Sequence, residues 1–261
     1  LTDISKSEIL YYFYLNTNNL KRLDMRNLRI TGVVAIGIIT LDATATNAQD
    51  NVKSTISANL VNQYIWRGQD LGDVSVQPAL GISWKGVSLS SFGNVGLSDK
   101  DDTKEFDLTG AYTFKGLNMG ITDYWFNQPN KRYFCYAAHK TSHVFEANVG
   151  YNFGPLALQW YTNFAGNDGI NKNGNRAYSS YVEISAPFTF ATCDWNAAVG
   201  AVPYRTSFYS DVNGFAITNV SLRATKAIPI TSSFTLPIYA QITANPSNEK
   251  AYFIFGFTLH P

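Results

Sequence analysis

Residues 250–260 read KAYFIFGFTLH. In an extended chain, Ala251, Phe253, Phe255, Phe257 and Leu259 point one way, and Tyr252, Ile254, Gly256, Thr258 and His260 point the other, because strand side chains alternate faces. One face is apolar and the other mixed. Back from this segment to Lys53, the same two-residue alternation recurs in roughly a dozen stretches of about ten residues each. The pattern predicts an all-β chain: a transmembrane antiparallel up-and-down β-barrel of about 12 strands.

The expected strands are Ser54 to Arg67, Val74 to Lys85, Val87 to Leu97, Lys104 to Phe114, Leu117 to Phe126, Ser142 to Phe153, Leu156 to Ala165, Arg176 to Pro187, Phe190 to Val202, Phe215 to Lys226, Phe234 to Ala244 and Lys250 to His260. Their connections alternate in length. Lys85-Gly86, Lys115-Gly116, Gly154-Pro155 and a turn near Pro187 are hairpin-sized. The intervening links are long and polar, the longest being Asn127 to Thr141. Short turns on one side and long loops on the other are the asymmetry of an outer-membrane barrel. Tyr64, Trp66, Trp84, Tyr112, Phe114, Trp125, Tyr151, Phe153 and Phe164 fall near strand ends, as interfacial girdles require. A soluble β-sandwich also alternates, but it does not call for this turn asymmetry.

Composition agrees. Of 261 residues, 15% are charged and 15% aromatic, whereas about a quarter of a soluble domain is charged. The one long apolar run, Ile30 to Leu41, is shorter than the about 20 residues a spanning helix needs. With Met25, the basic Arg26 and Arg29, and the small residues before Ala48, it reads as a secretion signal over residues 25–48. Residues 1–24 read as an upstream extension without a functional role, leaving 49–261 as the barrel. Cleavage after Ala48 removes five basic and four acidic residues and leaves no net charge, so no basic field exists to hold nucleic acid. Cys135 and Cys193 fall at opposite ends of the strand map, beyond the about 7 Å that a disulfide spans.

Tyr64-Ile65-Trp66-Arg67-Gly68 resembles the first-strand element of the TorF-type porin family. Gln77-Pro78-Ala79, Glu105-Phe106-Asp107 with Gly110-Ala111-Tyr112, and Phe145-Glu146-Ala147 are similar to later elements of that family. The resemblance implies an outer-membrane porin and adds little about its solute.

The inward faces carry the polar chemistry. Asn59, Gln63 and Arg67 are expected on the first strand, Glu105 and Asp107 on the fourth, Glu146 and Asn148 on the sixth, Glu183 on the eighth and Arg223 on the tenth. Opposed charges lining a pore make a constriction that selects by size and field. The bland alternative is that these charges pair in a lumen filled by side chains, since a barrel of 12 strands sits between filled eight-stranded and open sixteen-stranded ones. The Asn127 to Thr141 loop is long enough to fold inward and narrow the lumen.

The reading that follows is a channel for passive diffusion of small hydrophilic solutes in the outer membrane of a diderm bacterium. Its partners are membrane lipid and those solutes. No cofactor is expected, and no outward patch announces an oligomer interface. The alternatives are a plugged barrel acting as a surface receptor or adhesion scaffold and, more remotely, a barrel that processes acyl chains. For the last, Ser142 and His143 are neighbours on opposite strand faces, which prevents simple nucleophile–base contact. His139 and His143 lie in or beside a loop with nothing to fix metal geometry. Asp99, Asp101 and Asp102 lack the spaced ligand series of a calcium loop.

Overall fold

Strand alternation is realised along the chain as residue-by-residue alternation of burial. The structure, a computed structural model, describes residues 51–98, 102–128, 131–137 and 140–260, all in one compact unit. The expected leader, the residues before it, Asp99, Asp101 and His139 lie outside the described residues.

The strands are β1 (Lys53–Val61), β2 (Tyr64–Trp66), β3 (Gln69–Gly72), β4 (Ser75–Trp84), β5 (Val87–Gly96), β6 (Lys104–Phe114), β7 (Leu117–Phe126), β8 (His143–Asn152), β9 (Ala157–Gly166), β10 (Ser180–Phe190), β11 (Cys193–Val202), β12 (Ala216–Pro229), β13 (Thr235–Asn245) and β14 (Lys250–Leu259). β1 and β4 through β14 form one closed twelve-stranded antiparallel barrel, in which β14 returns to pair with β1. Among the described residues no helix is long and apolar enough to cross a membrane, which says nothing against crossing by strands.

β6 shows how sequence sets the two faces. Glu105 and Asp107 are buried, whereas Phe106, Leu108, Tyr112 and Phe114 are exposed. Ile82, Leu89, Ile121, Val149, Ile184 and Phe253 carry the same exposed apolar face around the barrel. Two-residue turns at Lys85-Gly86 and Lys115-Gly116 have positive φ at both positions, the geometry that matches strand twist in a tight hairpin.

Three expectations are corrected. The first strand ends at Val61, not Arg67. Beyond it, Tyr64, Ile65 and Trp66 are all buried, so Tyr64 and Trp66 are interior residues and not girdle residues. They belong to the β2–β3 hairpin, a separate two-stranded sheet. Second, the turn placed near Pro187 lies at Ala191-Thr192. The β9 ladder has already ended at Ser185, so Pro187 has a strand neighbour on one side only, where proline is tolerated. Third, the 127–141 loop does not enter the lumen in its described part. Tyr133 packs on Phe106 and Trp125, and Tyr136 on Phe145, which share the outward face.

The chain leaves the barrel wall at Asn62. Its amide N–H donates to the Phe255 carbonyl at 3.1 Å. Its side-chain amide donates to the Phe253 carbonyl at 3.1 Å and accepts from the Phe255 N–H at 2.8 Å. The side chain thus continues the β14 ladder after the backbone has turned inward. At the hairpin tip, Gly68 has φ +79°, and a Cβ there would lie 1.8 Å from the Thr218 carbonyl oxygen.

Gly68→Ala should therefore cost at least about 2 kcal/mol, combining left-handed strain with a backbone collision. Gly174→Ala, at φ +76° with nothing within 4 Å of the new Cβ, should cost only about 1 kcal/mol of left-handed strain. Urea unfolding of the two variants in micelles checks the difference. Equal costs would mean that the tip does not press on β12.

Candidate functional site

The inward hairpin brings Arg67 to the far wall. Arg67 and Gly68 are the two turn residues between β2 and β3, at φ 52° and 79°. Two turn residues with positive φ point the Arg67 side chain off the hairpin tip. Its guanidinium meets Glu146 of β8 in a two-pronged pair, Nη1 to Oε2 at 2.5 Å and Nη2 to Oε1 at 2.9 Å. The two side chains are 8% and 2% exposed, so the pair is cut off from water. Such forked, charge-assisted contacts are stronger than neutral hydrogen bonds.

Aromatic rings enclose the guanidinium. Its central carbon lies 4.0 Å from the Tyr161 ring centroid, 4.4 Å from Trp66, 4.8 Å from Tyr181 and 5.7 Å from Tyr209. Ring faces attract cations most strongly when water is excluded. Tyr124 donates its hydroxyl to Glu146 Oε1 at 2.8 Å, and Tyr209 to Oε2 at 3.3 Å. Arg67 also donates to the Tyr209 hydroxyl. Arg67 and Tyr209 both stand on connecting segments, outside the twelve wall strands. Burial works against the charge on Arg67, but Glu146 and the surrounding phenols outweigh it and hold the guanidinium well above its ordinary value. Burial pushes the Tyr209 hydroxyl up, so it remains a donor.

The rest of the hairpin is seated on opposite walls. Tyr64 donates to Glu105 Oε2 at 2.9 Å. Ile65 packs with Val61, Tyr239 and Ile254. Trp66 lies edge-on to Tyr124 at 5.7 Å and to Phe208 at 6.2 Å. Asn245 donates to the Gly68 carbonyl at 3.0 Å. The loop after β11 also turns inward, carrying Phe208 and Tyr209 into the same cluster. Together the hairpin and this loop fill the long-loop half of the lumen.

All but one of the residues expected to line a pore fall into three groups. Arg67, Glu105 and Glu146 meet at the hairpin, beside Asp107, one of whose buried carboxylate oxygens has no partner. Glu183 and Arg223 face the lumen on neighbouring sides. Glu183 accepts from Tyr181 at 2.7 Å, and Arg223 lies 3.6 Å over the Tyr239 ring. Asn59 and Asn148 are half-buried, with Asn59 accepting from Thr258 at 2.7 Å. Gln63 is placed differently from expectation: it belongs to the segment leading into the hairpin and donates to Asp70 at 3.1 Å. Sequence reasoning missed Tyr124, Tyr161, Tyr181 as a cage, and Tyr209. The first three alternate correctly for inward positions, but nothing in the sequence says that they converge.

A second polar cluster lies on the outward face. His143 Nδ1 is 2.7 Å from Asp123, and Nε2 is 2.5 Å from the Tyr133 carbonyl oxygen. Both ring nitrogens are thus engaged, and neither meets the Ser142 hydroxyl, which is buried without a hydrogen-bond partner. Among the described residues there is no group of three potential metal ligands. Cys135 and Cys193 are unbonded.

No protein-family model matches the chain, and no curated protein is detectably similar to it.

Removing one partner of a buried ion pair strands the other. Glu146→Leu should cost about 3–5 kcal/mol, and adding Arg67→Met to it should recover most of that cost. Urea unfolding of the singles and the double measures the coupling. Strict additivity would show that the pair makes no direct contact.

Proposed function

We propose that the protein is an outer-membrane channel for small hydrophilic solutes, with the β2–β3 hairpin as its constriction. The observation that carries this reading is the contrast between the two halves of the lumen. Around the hairpin, inward side chains such as Gln77, Glu105, Glu146 and Asn163 are buried. Towards the short turns, inward Asn59, Ser90, Thr113, Asn148, Ser185 and Gln241 are only half-buried. A polar, water-reachable vestibule leads up to an obstruction that is not part of the wall. An inward-folded segment meeting wall charges is a natural selectivity element.

The apolar outward face, the periodic strands and the expected secretion signal support an outer-membrane setting. Trp84, Tyr112, Phe114, Tyr151 and Phe153 stand outward near the short turns, and Lys85 and Lys115 reach over Trp84 and Phe114. These are the aromatic and basic groups that suit a membrane interface. The resemblance of Tyr64 to Gly68 to the TorF-type porins points the same way. The depth of hairpin burial favours the second reading, a plugged barrel whose outer loops act as a surface receptor.

Two measurements test the proposal. Leu80→Arg, in the middle of the outward face of β4, should cost about 2–4 kcal/mol for folding into lipid vesicles; a negligible cost would place Leu80 in water. In planar bilayers the wild-type barrel should give small, infrequent conductance steps. Arg67→Ala, which removes the tip contact, should give larger and more sustained ones. Folded barrels silent in both forms would overturn the channel reading and leave the receptor reading.

A further inference from the structure

The occupant and the walls of the Arg67 cage come from different parts of the fold. Tyr124, Glu146, Tyr161 and Tyr181 stand on β7, β8, β9 and β10, four consecutive wall strands. Their positions are set by ladder pairings such as Tyr124↔Val144 and Tyr161↔Tyr181, in which Arg67 takes no part. Arg67 arrives from the hairpin. The wall alone therefore holds a deep carboxylate, with Tyr124 donating to it, beside two ring faces. A carboxylate at the base of an aromatic box is the chemistry that recognises organic cations, and a forked pairing selects planar guanidinium over compact ammonium.

The charge balance of the wall agrees. Glu105, Asp107, Glu146 and Glu183 face the lumen, and among the described wall strands Arg223 is the arginine facing them. Arg223 is already stacked on Tyr239. Without the hairpin's charge, Glu146 is a buried carboxylate left without its cation, which a positive solute can replace.

We infer that the Glu146 cage is a binding site for guanidinium-bearing solutes, and that Arg67 is its tethered internal occupant. A free guanidinium competes with Arg67 for the same carboxylate and rings, and its binding releases the hairpin tip. The inference rests on the channel reading only in that a solute must reach the lumen.

The test uses the full barrel, refolded in micelles, with methylguanidinium chloride as the probe and equal sodium chloride as the control. Arg67→Ala should show a saturable rise in unfolding temperature with methylguanidinium. Wild type and the Arg67→Ala/Glu146→Gln double variant should bind at least about tenfold more weakly. No rise beyond the salt control in Arg67→Ala, or an equal rise in the double variant, overturns the site. Should Arg67→Ala not refold, Arg67→Met keeps the apolar stem and carries the same measurement. Refolding of either variant only with methylguanidinium present supports the site, and failure of both with and without it overturns it. Binding is read without current. A barrel that binds but never conducts overturns the channel and keeps the site, and one that conducts but does not bind does the reverse.

Discussion

A buried guanidinium–carboxylate pair decides the interior of this barrel. Taking Arg67 and Glu146 out of water costs several kcal/mol per ion, and the attraction between them offsets this only when geometry and extra hydrogen bonds are good. Both conditions hold. The contact is two-pronged, Tyr124 and Tyr209 complete the carboxylate's hydrogen bonds, and rings cover the faces of the guanidinium. An apolar pair of equal volume would fill the space as well. What the ion pair adds is a defined position, because a charge at the hairpin tip is tolerated only where its partner is.

The surrounding structure serves that position. Asn62 lets the chain leave the wall without breaking the seam, since its side chain takes over hydrogen bonds that the strand would have made. Gly68 lets the tip pass against β12, where any side chain would collide. Tyr64, Ile65 and Trp66 anchor the hairpin on opposite walls, so the obstruction crosses the lumen and does not merely line it. The polar residues towards the short turns are less deeply buried than those around the hairpin.

Most of the barrel was legible because strand alternation is a local property. Lys104–Phe114 and Leu117–Phe126 agree with the sequence reading to the residue, since each is bounded by a turn or polar loop that no tertiary contact overrides. The hairpin was not legible for the opposite reason. Tyr64 and Trp66 fit the outward alternation of the first strand, and one signal against it is the unbroken apolar run Tyr64-Ile65-Trp66, which argues for burial on both faces. A second signal was present. Arg67-Gly68 is the same basic-residue-plus-glycine pair that closes the hairpins at Lys85-Gly86 and Lys115-Gly116, with the same positive φ values. The inward faces of Glu105, Asp107, Glu146, Glu183 and Arg223 follow from strand parity, whereas the position of Arg67 on a hairpin tip does not. The cage was not legible, because convergence of β7 to β10 on one point depends on barrel curvature and on a loop more than 140 residues from the tip.

The central claim is that the hairpin is seated in the lumen by Glu146. Amide hydrogen exchange over residues 62–74, in wild type and in Glu146→Gln, tests it most directly. The account predicts wild-type protection close to that of the wall strands, and faster exchange confined to residues 64–72 in the variant while β7 to β10 stay protected. Wild-type hairpin amides that exchange as fast as the 246–249 loop would contradict it.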